Sequence, residues 1–291
     1  MLAFPVAKIN LGLHVTAKRT DGYHELETVF YPIKLSDVIE IIPSGDSNTS
    51  FTSSGIDIPG DKASNLCLKA YHLMKEKKPG LPGVKMHLHK IIPIGAGLGG
   101  GSSDASFVLK LLNDMFDTGF QNEELSVMAA NIGSDCAFFI QASPAFASGR
   151  GEILFPLPAL PKGYHILLVC PQIHIPTAFA YSMVSPKQPE KDLNQLYHVS
   201  PENWKGNMVN DFEKGIFSKH NSLARIKEDI YKLGAIYASM SGSGSALFGI
   251  SGRKLRCLHI FFPIVLFGKA SFSHSHSSIC LLPAFFPGLK D

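Results

Sequence analysis

Pro93-Ile94-Gly95-Ala96-Gly97-Leu98-Gly99-Gly100-Gly101-Ser102-Ser103-Asp104 is the stretch on which the fold of this chain turns. Five of the seven positions from 95 to 101 are glycine, so main-chain N–H groups can converge there with no Cβ in the way. Upstream, Val84, Met86 and Leu88 alternate with Lys85, His87 and His89, the period of a strand running into Lys90-Ile-Ile-Pro93. Downstream, Ala105, Val108, Leu109, Leu112, Met115 and Phe116 recur on one helical face. A glycine loop between strand and helix adds the helix's partial positive charge to its open amides, a combination suited to phosphate. Gly95-Ala-Gly97-Leu-Gly99-Gly100 formally satisfies G-x-G-x-x-G. A dinucleotide site, however, needs an acid after a further strand about 20 residues on, where this pattern is helical. A Walker loop is excluded because no Gly-Lys-Ser/Thr follows. A loop without a ligand is the remaining reading, and it leaves the entropy cost of five glycines unexplained.

Toward the amino terminus, Val6, Ile9, Leu11, Leu13 and Val15 mark residues 6–16 as a half-buried strand. Lys8 and Asn10 share one face of it, Ile9 and Leu11 the other. A lysine there is either a functional cation or an edge-strand residue whose ammonium reaches water, and the second is the commoner. Asp21-Gly22 is a turn signal between apolar runs, and Thr28–Pro32 and Asp37–Ile42 read as strands. Residues 43–62, rich in Ser, Gly, Asp and Pro, read as a solvated loop or irregular hairpin. Ala63, Leu66, Cys67, Ala70, Tyr71 and Met74 form a helical face that Lys77-Lys-Pro-Gly80 ends.

Beyond the glycine loop, a short helix at about 123–132 ends near Gly133. Asp135 then stands at the entrance to Cys-Ala-Phe-Phe139, as a helix cap or as a catalytic carboxylate. Pro and Gly crowd residues 156–163, which sets a boundary between domains 1–160 and 161–252. The second domain reads as a strand at Tyr164–Cys170, a polar linker at 185–206, and a helix through Leu223, Ile226, Ile230 and Leu233. Strands Ala235–Met240 and Ala246–Ile250 flank Ser241-Gly-Ser-Gly-Ser245, a tight turn or a second phosphate cradle. Tyr23, His24 and Tyr181 could face a nucleobase, although tyrosines in surface turns are common. His87 and His89 lack a third metal ligand. Residues 253–291 differ in character from all that precedes them. Asp291 is their only acid and no helical period survives, which reads as a reading-frame change near residue 252 or, as the alternative, a genuine atypical tail.

At 291 residues with 45% apolar and 18% charged side chains, the chain is globular and neither collagenous nor coiled-coil. Lys and Arg number 27 against 24 Asp and Glu, and with no basic stripe interleaved with aromatics, nucleic acid is not an expected partner. Five scattered cysteines without chelating spacing read as reduced thiols of a cytoplasmic protein. No signal-peptide core is expected at the amino terminus. The longest apolar run, Leu258 to Gly268, is too short for a membrane span and holds Pro263.

Pro-x-x-x-Gly-Leu-Gly-Gly-Gly-Ser-Ser at 93–103, with Ala7-Lys-Ile-Asn-Leu11 upstream and Ser241-Gly-Ser-Gly244 downstream, resembles the three motifs of the GHMP small-molecule kinases over residues 3 to about 250. Asp21-Gly-Tyr-His24 and Gly133-Ser-Asp135 narrow the likeness to the branch acting on a cytidine-diphosphate-linked methylerythritol. Ser134 departs from a more usual Ala, and the family's last helix and strand are not expected in 253–291. The resemblance implies an α+β, two-domain GHMP kinase fold with a ribosomal-protein-S5-like amino-terminal domain, a ferredoxin-like carboxy-terminal domain, and a site in the cleft between them. It implies ATP-dependent phosphorylation of the substrate's 2-hydroxyl, with Mg²⁺, in the non-mevalonate isoprenoid route. Lys8 and Asp135 would be catalytic, and Pro93, Ile94, Gly95, Ala96, Gly97, Leu98, Gly99, Gly100, Gly101, Ser102 and Ser103 would hold the ATP phosphates. Asn65 would lie near the adenine, Tyr23, His24 and Tyr181 would hold the cytosine, and Asn10 and Thr177 would meet polar groups of the substrate. Ser102 or Ser103 would offer Mg²⁺ a ligand, and monomer and homodimer both stay open. The alternatives are another GHMP kinase, of homoserine or mevalonate type, or a nucleotide-binding protein without turnover.

Overall fold

The computed structural model describes residues 1–61, 64–253 and 265–269, in two units. The first comprises residues 1–9, 16–94 and 98–158, and the second comprises residues 10–15, 95–97 and the described residues from Ala159 onward. The fold is α+β throughout.

The first unit runs β1 (Leu2–Ala3), β2 (Val6–Lys18), β3 (His24–Ser36), β4 (Val38–Pro43), β5 (Ser50–Gly55), α1 (Leu66–Lys77), β6 (Val84–Lys90), α2 (Gly100–Met115), α3 (Asn122–Ile132), α4 (Cys136–Gln141), β7 (Ala145–Ser148) and β8 (Ile153–Pro156), with residues 10–15 of β2 belonging to the second unit. One sheet has the order β1-β4-β6-β5, the other β2-β3-β7-β8. Strict alternation in β6 buries Val84, Met86, Leu88 and Lys90 and exposes Lys85, His87 and His89. Its apolar side joins Ile39 and Ile41 of β4 and the inner faces of α1, α2 and α3 in one core. Each such Leu, Ile or Val contributes about 1.5–3 kcal/mol on burial, which is what fixes the strand's register.

β5 corrects the reading of residues 43–62 as loop or hairpin: it pairs in parallel with β6, Ser50 opposite Lys85 through Gly55 opposite Lys90. Phe51 is its only side chain packed on the core, so the hydrophobic alternation that would announce a strand is missing. Cross-strand polar contacts take its place: the Thr52 hydroxyl lies 2.9 Å from His87 Nδ1, and the Ser54 hydroxyl 2.9 Å from His87 Nε2 and 3.0 Å from His89 Nδ1. Those histidines are thus hydrogen-bonded to hydroxyls, and no metal-competent cluster of three His, Cys, Asp or Glu exists among the described residues.

The second unit continues with β9 (His165–Val169), α5 (Thr177–Ser182), α6 (Leu193–Tyr197), α7 (Phe212–Lys219), α8 (Asn221–Lys232), β10 (Tyr237–Met240), β11 (Leu247–Ser251) and β12 (Val265–Lys269). Its sheet has the order β10-β11-β9-β12. Leu13 and Val15 join a core made by α7, α8 and the sheet, and Leu13 bridges Asn210 in parallel. The expected linker at 185–206 is instead packed structure. Asp192 caps α6 through the Asn194 amide, Leu193 and Tyr197 are buried, and Trp204 is fully buried with its indole donating to the Leu196 and Val199 carbonyls. Polar residues dominate that stretch in number, but its few large side chains carry the burial. A second correction concerns the end of the chain: Val265–Lys269 forms a strand antiparallel to β9, where none was expected. Apart from Arg253 and this strand, the segment read as frame-shifted lies outside the described residues, as does Ala63 of the helical face before Leu66.

Candidate active site

The glycine loop is shaped by where its carbonyls go. Ala96 O accepts from the Ala246 amide at 3.1 Å, Gly97 O from the Ser241 hydroxyl at 2.8 Å, and Leu98 O from the Lys8 amide at 3.0 Å. In a planar trans peptide the N–H points opposite to the carbonyl, so the amides of Gly97, Leu98 and Gly99 turn away from these partners. Gly99 is the N-cap of α2, whose first amides are open donors. Positive φ at Gly95, Gly97 and Gly99 gives the alternation that gathers amides into an anion nest. At Gly97 the constraint is also steric: a Cβ would lie 2.0 Å from Ser241 O.

Lys8 and Asp135 meet in the first unit. Lys8 Nζ lies 3.2 Å from Asp135 Oδ2 and 4.9 Å from the centre of the Phe30 ring. The lysine side chain is 4% exposed and the carboxylate 32%. Lys8 therefore does not snorkel to water, although β2 lies at the edge of its sheet. Its stem runs along the loop: Cε is 3.2 Å from where a Gly99 Cβ would stand. Asp135 occupies the N-cap position of α4, yet its side chain makes no capping hydrogen bond. The shortest approach of the carboxylate to Lys8 is through Oδ2. A buried ammonium, a partly exposed carboxylate and a nest of amides form the constellation for moving a phosphoryl group to a hydroxyl.

Ser103 Oγ is buried without a hydrogen-bond partner in the first turn of α2. An orphaned hydroxyl beside a phosphate nest fits a hard, oxygen-ligated cation such as Mg²⁺. Asn65 caps α1, its Oδ1 accepting from the Cys67 amide at 2.8 Å, and Leu66 packs near Gly101. Tyr23 projects from the turn between β2 and β3 with its ring exposed, and His24 begins β3. The thiol of buried Cys136, next to Asp135, is pushed up to about 11 by burial, with the Asp135 charge adding to the rise, so it remains protonated.

In the second unit, the Asn10 amide donates to Ser241 Oγ at 3.3 Å and that hydroxyl lies 3.4 Å from Asn10 Oδ1. Ser245 Oγ donates to Ile173 O at 2.5 Å, so Ser241-Gly-Ser-Gly-Ser245 acts as a buttress, its outer hydroxyls engaged by protein carbonyls. Thr177 Oγ1 lies 3.5 Å from Ser243 Oγ. Tyr181 packs edge-on against Phe212, ring centres 4.9 Å apart, half-buried on the core. Asn210, which sequence reasoning missed, donates to Met240 O at 2.8 Å and Gly242 O at 2.9 Å and so holds the buttress.

Also missed was a buried ion cluster under α2. Lys90 Nζ lies 2.5 Å from Asp37 Oδ2 and 2.6 Å from Asp104 Oδ2, and Asp37 Oδ1 accepts from the Ile91 and Ile92 amides. The readable signal was Lys90 itself, which continues the inward parity of Val84, Met86 and Leu88. Burial foremost, then the Asp37 charge, raises Asp104 to about 7 against the pull of Lys90. A carboxyl near 4 in the unfolded chain and about 7 in the folded one binds more protons when folded across that window, so stability falls as pH rises from 4 to 7. Asp104→Asn removes this titration and should flatten that part of the profile. Thermal melts at pH 5 and pH 7.5 check it: an unchanged slope would show that Asp104 is not its source.

The GHMP kinases N terminal domain family matches residues 65–143, and the GHMP kinases C terminal family residues 189–255. The chain is 50% identical over 261 residues to a Cytophaga hutchinsonii protein named 4-diphosphocytidyl-2-C-methyl-D-erythritol kinase, covering 89% of this chain and 95% of that protein. A Bacteroides fragilis protein of the same name is 48% identical over 252 residues, 86% of this chain and 92% of that one. Among solved structures, a 4-(cytidine 5'-diphospho)-2C-methyl-D-erythritol kinase superposes with a TM-score of 0.72 at 34% identity, covering 86% of this chain and 89% of that one. A homoserine kinase from Cytophaga hutchinsonii, 18% identical with a TM-score of 0.61 over 86% of this chain and 85% of its own, shares the fold.

Proposed function

Since the chain belongs to the GHMP kinases, and within them to the 4-diphosphocytidyl-2-C-methyl-D-erythritol kinase family, we propose that it transfers the terminal phosphoryl group of ATP to the 2-hydroxyl of that cytidine-diphosphate-linked polyol, in the cytoplasm, as a step toward isoprenoid precursors. The observation that carries the reading is the 3.2 Å Lys8–Asp135 pair, with the lysine stem against Gly99 of the phosphate nest.

Phosphoryl transfer asks a protein for in-line placement and for charge where negative charge spreads. Amides of residues 97–102 hold the ATP phosphates, with Pro93 to Ala96 leading into them and Ser102 and Ser103 closing the first turn. Asn65, which caps α1 next to Leu66, borders the adenine. Lys8 faces the transferring group, held there by Asp135 beside it and Phe30 beneath it. Asp135 takes the hydroxyl proton on Oδ1 while Oδ2 keeps Lys8 in place. Because Lys8 is almost wholly desolvated, its charge acts with little screening. Ser102 or Ser103, in the first turn of α2, would hold Mg²⁺, which would supply neutralisation of the phosphates when bound. Tyr23, His24 and Tyr181 hold the cytosine, and Asn10 and Thr177 meet the substrate's polar groups.

The test is ADP release with 4-diphosphocytidyl-2-C-methyl-D-erythritol beside homoserine and mevalonate at matched concentrations. Turnover is expected on the first alone. Equal or greater turnover on either simple alcohol, or none on all three, would overturn the assignment.

A further inference from the structure

We propose that Arg150 binds the diphosphate of the cytidylylated substrate. The inference rests on the reading above, in which Tyr23 seats the base and Asp135 meets the reacting hydroxyl. Arg150 sits in the turn between β7 and β8, flanked by Gly149 and Gly151, both at positive φ. The turn reaches both ends of the substrate's path. On one side, a Cβ at Gly151 would lie 3.7 Å from Asp135 Oδ1 and 3.4 Å from the Phe30 ring. On the other, the guanidinium carbon lies 4.9 Å from the centre of the Tyr23 ring. Tyr23 is 54% exposed, so with the cation on one face its ring keeps surface for a base.

The guanidinium is held and yet unspent. Glu152 accepts from the Arg150 amide at 2.6 Å and from Nε at 3.4 Å, which fixes the turn and the base of the fork. Neither Nη group has a hydrogen-bond partner among the described residues. Asp21 lies within charge range of the guanidinium, but its side-chain hydrogen bonds go to Arg19, which also pairs with Glu25. A planar fork with two free donors matches the paired oxygens of a phosphate. A molecule whose base lies on Tyr23 and whose hydroxyl meets Asp135 must carry its two phosphates between them, where this fork is held.

The experiment measures binding of cytidine diphosphate and of cytidine to the full chain, by calorimetry with ADP saturating, for wild type, Arg150→Met, Arg150→Lys and Tyr23→Ala. Arg150→Met should weaken cytidine diphosphate about tenfold or more and leave cytidine within about twofold. Arg150→Lys should recover part of the loss, with the KM for ATP and the melting temperature unchanged. Equal weakening of both ligands by Arg150→Met would mean that the arginine only supports the Tyr23 ring, and no weakening would mean that it does neither; both results overturn the proposal. Tyr23→Ala separates this from failure of the underlying reading, because it should weaken both ligands. If it weakens neither, the base seat is elsewhere and the assignment of Arg150 falls with it.

Discussion

Asp135→Asn is expected to lower kcat by about 10²–10⁴-fold while leaving the KM for ATP within a small factor. The asymmetry follows from the geometry. The carboxylate lies nearest the lysine through Oδ2, and on the proposed reading it would also meet the incoming hydroxyl, whereas the nucleotide would be held by main-chain amides that the substitution does not touch. An amide is nearly isosteric but cannot take the proton, so the loss should appear in the chemical step, equivalent to about 3–5 kcal/mol of barrier. The side effect to control is Lys8, which would lose the countercharge to a buried ammonium. A melting temperature measured alongside separates the two, and near-normal turnover in a folded variant would remove Asp135 from the chemistry.

The second large effect is on stability. Lys90→Met strands two carboxylates, Asp37 and Asp104, that are both buried and both within 2.6 Å of the ammonium. Breaking a buried ion cluster in this way costs about 3–5 kcal/mol, a large share of the 5–15 kcal/mol that holds a typical domain together. The melting temperature should fall by roughly 10 °C. Because Asp37 also holds the Ile91 and Ile92 amides and Asp104 lies near the start of α2, the KM for ATP should rise as well. Adding Asp104→Asn to Lys90→Met should restore part of the stability, since it removes a carboxyl that must otherwise take up a proton or stand as a stranded charge beside Asp37. A double variant no more stable than the single one would show that the cluster does not act as a unit.

The sequence carried the architecture wherever burial and period coincide. β2, β6, α1, α2 and α8 each put apolar residues at the spacing of their element, and the glycine loop lies between strand and helix as its flanks require. β5 was illegible because main-chain pairing and serine–histidine contacts hold it rather than an apolar face. Residues 185–206 misled by composition, since one tryptophan and two short turns bury what the polar count conceals. Within the site, Lys8 and Asp135 were each nameable, but their contact was not, because nothing local encodes a meeting between β2 and the start of α4. Arg150 gave no signal at all, as its meaning comes from lying over Tyr23. Lys90 did give one: a lysine at an inward-facing strand position needs buried partners, and its parity said so.

The carbonyl of Gly97 is held by a serine 144 residues further along the chain, and that of Ala96 by the amide of Ala246. During synthesis the glycines leave the ribosome long before either partner exists. Until Ala246 has emerged, the nascent chain holds the letters of the proposed nucleotide site without these two contacts, so on that reading full affinity for ATP would wait for residue 246.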